Sequence, residues 1–200
     1  GISHKIVNDL FDGVESDLKN EVNLNTKKDL LIYSYQVAGT VGLMMAKILK
    51  VNDQQSLRCA VDLGVAMQLT NITRDVLEDK KRNRAYIKAD FSSIRETIFL
   101  ADIFYQSSFP AIKNIPIFSR FAILVARRIY KRIGNEILSQ KNIETYNNAG
   151  KIYVSVLHKA VETFLSFFDF IKLFFVNSSE QEKQNEHIML HEEINIDERI

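Results

Sequence analysis

Residues 68 to 86, Gln-Leu-Thr-Asn-Ile-Thr-Arg-Asp-Val-Leu-Glu-Asp-Lys-Lys-Arg-Asn-Arg-Ala-Tyr, place metal-binding side chains at helical spacing. At one residue per 100° or so, Gln68, Asn71, Asp75 and Asp79 fall within an arc of roughly 80° on one helix face. Two carboxylates a turn apart, preceded by an amide carbonyl, form a row of hard oxygen donors. Such a row suits Mg2+, with Mn2+ as the alternative, because these ions take oxygen ligands and Mg2+ completes its shell with water and substrate phosphates. The guanidinium forks of Arg74, Arg82 and Arg84 would grip diphosphate oxygens that the metal does not reach. The competing reading is a solvated helix face with weak ion pairs, which is what acids spaced three or four apart among Lys and Arg usually mark. Against it stands the run Leu63-Gly64-Val65-Ala66-Met67, which leads into the stripe and is apolar. Gln68 and Asn71 are therefore expected to project into an interior cavity.

The elements that must hold this stripe are helices. Only two prolines and seven glycines punctuate 200 residues, and strand-like alternation is almost absent. Hydrophobic periodicity predicts helices over about 2–18, 27–50, 54–82, 93–109, 117–140 and 149–176. That makes an all-α bundle, with Asp53 as N-cap of the motif helix and Pro110 ending the helix before it. At 46% hydrophobic content the chain can bury one sizeable core. A helical domain over 1–176 followed by a polar C-terminal tail over 177–200, disordered or loosely helical, is the expected division. The net charge of +1 provides no broad basic field, so no nucleic-acid partner is expected. Cys59 is the only cysteine. No internal disulfide can form, and a reducing, cytoplasmic setting is the expectation. The first residues lack the apolar core of a signal peptide.

Gly39 and Gly42 inside a helix cost roughly 1 kcal/mol each relative to alanine. Two readings explain them: close packing of helices, or room for a long flat ligand between Ala38, Gly39 and Gly42 on one helix and Ala60 and Gly64 on the other. Residues 161–176 are the most apolar stretch, with Ser166, Asp169 and Lys172 as a narrow polar stripe. They are too short and too charged to span a bilayer. Either they form a helix buried on most sides, or they rest on a membrane surface as an interfacial helix. His187 and His191 sit in the polar tail without expected partners, and no metal site is assigned to them.

The segment from Gln68 to Tyr86 closely resembles the second aspartate-rich motif of the squalene and phytoene synthase family, down to Arg84-x-Tyr86. A second match is Tyr33-Ser-Tyr-Gln-Val-Ala-Gly-Thr-Val-Gly-Leu-Met-Met45, similar to the family's YxxVAGxVG helix, and Leu10 to Leu18 resembles the segment before it. Weaker matches run through Ala101–Tyr105, Ile115-Pro116, Arg120 and Ala126–Tyr130. The Thr of VAGTVG and the Leu-Met-Met ending are more similar to bacterial phytoene synthases than to squalene synthases. The resemblance implies an isoprenoid-synthase-type helical bundle. It also departs from the family: the first aspartate-rich motif, upstream of the Leu10 segment, has no counterpart, and Ile87-Lys88 stands where the family has Leu-Pro. The chain is accordingly expected to be the C-terminal two-thirds of a synthase, incomplete at its N-terminus and inactive as given.

What the resemblance implies is the condensation of two geranylgeranyl diphosphates to phytoene, for carotenoid biosynthesis, through a cyclopropyl diphosphate. One allylic diphosphate ionises with help from Mg2+ held by Asn71, Asp75 and Asp79, and the double bond of the second attacks the cation. A second ionisation, rearrangement and proton loss give the product, with no NADPH needed. Tyr33, Gln68, Asp75 and Asp79 would carry the catalysis. Val37, Ala38, Val41, Gly42, Ala60, Leu63 and Gly64 would line a tunnel for the prenyl chains, and Arg74, Arg84 and Tyr86 would bind diphosphate. Tyr130 is a weaker candidate. Two alternatives stay open: a squalene or dehydrosqualene synthase using farnesyl diphosphate, and a non-catalytic member acting as a respiratory-complex assembly factor. The intact Asn71, Asp75, Asp79 set favours the enzyme. Oligomeric state is not specified, and peripheral contact with the inner face of a membrane would suit such substrates.

Overall fold

The structure, a computed structural model, describes residues 1–176 and 184–200. The bundle is built around one long helix. Asp53 caps its start by accepting from the Ser56 backbone N–H, and the helix, α4, then runs over Gln54–Lys81. Val61, Val65, Ala66 and Leu69 on its inner face have no exposed surface. On one side α4 packs against α5 (Phe91–Ser108), whose Phe104 is likewise fully buried.

On its other side α4 meets α2 (Lys27–Ser34) and α3 (Thr40–Ile48), which are the two halves of one expected helix joined by a π-turn over Tyr35–Gly39. A capping box between Thr26 and Asp29 starts α2. The wide turn inserts a residue and changes the register, so the halves face different partners. Tyr33 and Tyr35 reach α1 (His4–Ser16) and its C-terminal end through Asp17 and Asp9, whereas Gly42 lies against α4.

Two short strands also form. β1 (Val22–Asn23) pairs in parallel with β2 (Arg84–Ala85), with Val22 opposite Arg84. This two-residue ladder ties the α1–α2 connection to the chain leaving α4, and so fixes Arg84 and Tyr86 beside α1.

The C-terminal half departs from the expected elements. The helix expected over 149–176 begins later and ends earlier, as α8 (Val156–Lys172), and a short helix not expected from the sequence, α7 (Ile143–Ala149), precedes it. Gly150, at φ 65°, ends α7, and Ser155 caps α8 through the His158 N–H. α8 lies alongside α6 (Ile117–Leu138), and Tyr146 of α7 donates to the Thr73 main-chain oxygen on α4 at 2.7 Å. Burial of α8 on most sides does not hold either. Its polar stripe faces inward, where Arg128 donates to Glu162 at 2.8 Å and to Asp169 at 2.8 Å. Ser166 is fully buried, whereas Phe164 and Phe168 are 66% and 54% exposed.

The expected loose tail is also corrected where it can be seen. Residues 177–183 of that tail lie outside the described residues, but α9 (Asn185–Glu193) and a 3-10 turn at Ile196–Glu198 dock on the bundle. Leu190, Ile194 and Ile196 join the core, and Arg199 donates to Asp9. His191 Nε2 lies 3.2 Å from Asp62, which is wholly buried on α4 and accepts from the Ser107 hydroxyl at 2.7 Å, and His187 stands 3.7 Å from the same carboxylate. The tail is charged because it clamps a charged surface: Lys5 pairs with Glu198 and Arg58 with Asp197. Among the described residues no helix is long and apolar enough to cross a membrane.

Candidate active site

The stripe on α4 holds its expected order. Asn71 and Gln68 touch weakly, Nδ2 to Oε1 at 3.5 Å, and the Asn71 carbonyl oxygen is buried without a hydrogen-bond donor. Leaving such an acceptor unsatisfied costs about 1–3 kcal/mol, so it marks a position built for something else. The two carboxylates differ sharply. Burial works to raise the Asp75 carboxyl, but the Arg74 fork, at 2.9 and 2.6 Å, and Lys151 at 3.2 Å outweigh it and hold it below the usual range. At Asp79, burial and the charge of Asp75 dominate over Arg84 and Arg82, and its pKa is pushed up to about 6. Arg74, expected to bind diphosphate, is thus committed to its neighbour Asp75. Lys151, on the far side of Gly150, is a cation with no signature in the sequence, because it lies some 76 positions after Asp75 and follows no motif.

Beside the stripe lies a second polar cluster. The Tyr33 and Tyr86 rings stack at 4.7 Å with an interplanar angle of 18°. Both phenols reach the same carboxylate: Tyr33 donates to Asp17 at 2.8 Å and Tyr86 to Asp17 at 2.6 Å. Arg84 donates to the Asp17 main-chain oxygen at 2.8 Å, which fixes its position rather than leaving it free. Burial and these bonds keep both tyrosines protonated, with Tyr86 pushed up to about 12 and Tyr33 further. Asp17 was not among the expected site residues, although it closes the Leu10 to Leu18 segment. Only the fold, through the β1–β2 ladder, brings it to Tyr86.

An apolar groove of about 350 Å3 runs along α3 and α4. All seven expected tunnel residues line it, Val37, Ala38, Val41, Gly42, Ala60, Leu63 and Gly64, together with Tyr130, Met45 and Cys59. Gln68 and Asn71 form its polar end, whereas Tyr33, Arg74, Asp75, Asp79, Arg84 and Tyr86 lie outside its lining. The glycines have a packing role here. A Cβ on Gly42 would stand 2.2 Å from the Ala60 carbonyl oxygen, and one on Gly64 would stand 2.3 Å from that of Ala38. The two glycines let α3 and the π-turn lie directly on α4, and both also line the groove, so close packing and groove wall coincide at these two positions.

Residues 1–92 match the profile described as squalene/phytoene synthase. The 15-cis-phytoene synthase of Enterobacter agglomerans is 34% identical over 140 residues, 60% of this chain and 48% of that protein. The phytoene synthase of Thermus thermophilus is 53% identical over 79 residues, 40% of this chain and 27% of that protein. A crystal structure of a dehydrosqualene synthase in complex with ligand superposes with a TM-score of 0.67 at 26% identity, covering 86% of this chain and 66% of that one. The chain belongs to the squalene/phytoene synthase family. Its fold is the helical isoprenoid-synthase type, and it spans about half the length of the curated relatives it matches.

Whether the family member's stripe fits Mg2+ turns on its donors. The orphaned Asn71 side-chain carbonyl, the Asp79 carboxylate, which has no ion-pair partner among the described residues, and the neighbouring Asp75 are hard oxygens of the right kind. Among the described residues no three His, Cys, Asp or Glu side chains converge closely enough to hold a metal ion by themselves. The stripe therefore fits as one side of a coordination shell, the rest being supplied by water or phosphate oxygens.

Proposed function

We propose that this protein joins two allylic prenyl diphosphates head to head, with geranylgeranyl diphosphate as substrate and phytoene as product. The observation that carries the reading is the buried, donorless Asn71 carbonyl, placed where an apolar groove ends and the Asp75, Asp79 face begins. Asn71, Asp75 and Asp79 would hold Mg2+, which supplies Lewis-acid assistance to a departing diphosphate. The chain's own residues do the rest. The groove walls from Val37 to Gly64 exclude water from the prenyl chain. Arg74 and Lys151 keep Asp75 ionised, and Arg84 and Arg82 add positive charge near Asp79, where a diphosphate would sit. The phytoene synthases among the relatives support the C20 substrate, and the dehydrosqualene synthase likeness supports farnesyl diphosphate as the alternative.

The exposed phenylalanines of α8 support a peripheral position on a membrane, where both substrates and product would collect. The test of function is direct. Protein expressed from its natural reading frame is incubated with Mg2+ and either geranylgeranyl or farnesyl diphosphate, and products are extracted and separated by chromatography. Phytoene from the C20 substrate is expected. A C30 product from farnesyl diphosphate alone would move the assignment to the alternative, and no product from either would favour a non-catalytic role.

A further inference from the structure

The Asp17, Tyr33, Tyr86 cluster is built with more care than a core needs. Two stacked phenols from different parts of the chain converge on one half-buried carboxylate, using both of its oxygens. The two hydroxyls are also 3.1 Å from each other. Each phenol has a single proton, so two protons serve three close contacts. The shorter contacts to Asp17 take them, and each phenol oxygen then keeps its lone pairs free. The carboxylate itself is held from behind, because Arg84 grips its main-chain oxygen and the β1–β2 ladder locks Arg84 opposite Val22. The cluster is electrically part of the stripe: the charges of Asp17 and Arg84 both act on Asp79.

We propose that Asp17 is a positioning residue for this reaction, acting through the Tyr33 and Tyr86 phenols. By taking both phenol protons it fixes the two rings as one stacked plate beside Asp79 and places a negative charge behind them. The plate then holds its two phenol oxygens in one arrangement next to the Asp79 face of the site, without having to reorganise as positive charge develops on the substrate. This rests on the prenyl-transfer reading above. Asparagine at position 17 loses the charge and one of the two acceptor oxygens and puts an NH2 donor in its place, so Asp17→Asn weakens the hold on the pair while keeping its shape.

The experiment is a mutant cycle in the protein from its natural reading frame, assayed with Mg2+ and geranylgeranyl diphosphate. Asp17→Asn is compared with Tyr33→Phe/Tyr86→Phe and with the triple variant. Expected are a fall in kcat of roughly 10- to 100-fold for Asp17→Asn, KM close to the wild-type value, and no further fall when the change is added to the two phenylalanines. Asp17→Glu, which keeps two acceptor oxygens, should recover part of the loss, and it replaces Asp17→Asn in the cycle if that variant does not fold. A loss that multiplies with that of the phenylalanines, or one that appears wholly in KM, overturns the proposal while leaving the prenyl-transfer reading intact. A wild-type protein that makes no product from either prenyl diphosphate overturns both.

Discussion

Asp75 and Asp79 stand one helical turn apart on α4, yet their surroundings are opposite. Asp75 is held by Arg74 at 2.6 Å and Lys151 at 3.2 Å, while among the described residues no cation lies within ion-pair distance of Asp79. A buried carboxylate beside another carboxylate, with no cation of its own, is costly in the resting protein. On the proposed function, it is also where a divalent ion would bind.

The cost can be measured. Asp79 titrates at about 6 in the folded chain, above the model-peptide value of about 3.9. Between those values the folded state binds more protons than the unfolded one, so this group makes the protein more stable as pH falls from above 6 to about 4. Asp79→Asn removes the charge that has to be buried. In metal-free buffer it should raise Tm at pH 7.5, by about 1 kcal/mol of stability once screening at a half-buried site is allowed for, and leave it unchanged at pH 4. Thermal melts at the two pH values check this, and equal destabilisation at both would show that Asp79 is not strained.

Adding Mg2+ should reverse the balance. A ligand that binds only the folded state adds about 1.4 kcal/mol at tenfold its Kd, so wild-type Tm should rise with millimolar Mg2+. In Asp79→Asn and in Asn71→Leu, which removes the donorless carbonyl, the rise should shrink or vanish. Identical Mg2+ responses in all three would move the metal away from this stripe, whatever the activity assays show.

How far the sequence reached depends on the range of the interactions. The stripe from Gln68 to Asp79 was legible because helical period is local, and Asp53 as a cap was legible because its partner Ser56 is three residues away. Lys151 and Asp17 were not, since each meets its partner only after the chain has turned several times. The inverted α8 shows a different limit. Its composition sets out one polar and one apolar face, but which face turns inward is decided by Arg128 on α6, which takes both Glu162 and Asp169. His187 and His191 were similarly opaque, because a polar segment reads as solvated until a buried acid such as Asp62 is found beneath it.

Gly42 and Val41 together separate packing from substrate space. A Cβ there would meet a main-chain oxygen at 2.2 Å, which cannot move like a side-chain tip. Gly42→Ala should therefore force α3 away from α4, at about 1–3 kcal/mol or more of folding free energy, seen as a lower midpoint in urea unfolding. Val41 lines the same groove but is 46% exposed. Val41→Phe should leave the midpoint within about 0.5 kcal/mol and instead narrow the groove, lowering product formed per folded molecule. If Gly42→Ala kept full stability, the close approach of the two helices would be wrong.

The outward face of α8 makes the last prediction. Phe164, Phe167 and Phe168 are 66%, 54% and 54% exposed, and the polar side chains that would usually cover such a surface are turned inward to Arg128. Because these rings make few contacts within the chain, Phe164→Ser with Phe168→Ser should change stability by no more than about 0.5 kcal/mol per site. Water is a poor environment for a row of rings, and an amphipathic helix with one such face partitions into the boundary between headgroups and acyl chains. Sedimentation with lipid vesicles should therefore carry down wild-type protein and leave most of the double serine variant in the supernatant. Raising the salt concentration should weaken this only slightly, since apolar burial rather than charge holds the helix there. Equal recovery of both proteins with the vesicles, at matched stability, would remove α8 from the membrane and leave its phenylalanines to be covered by protein.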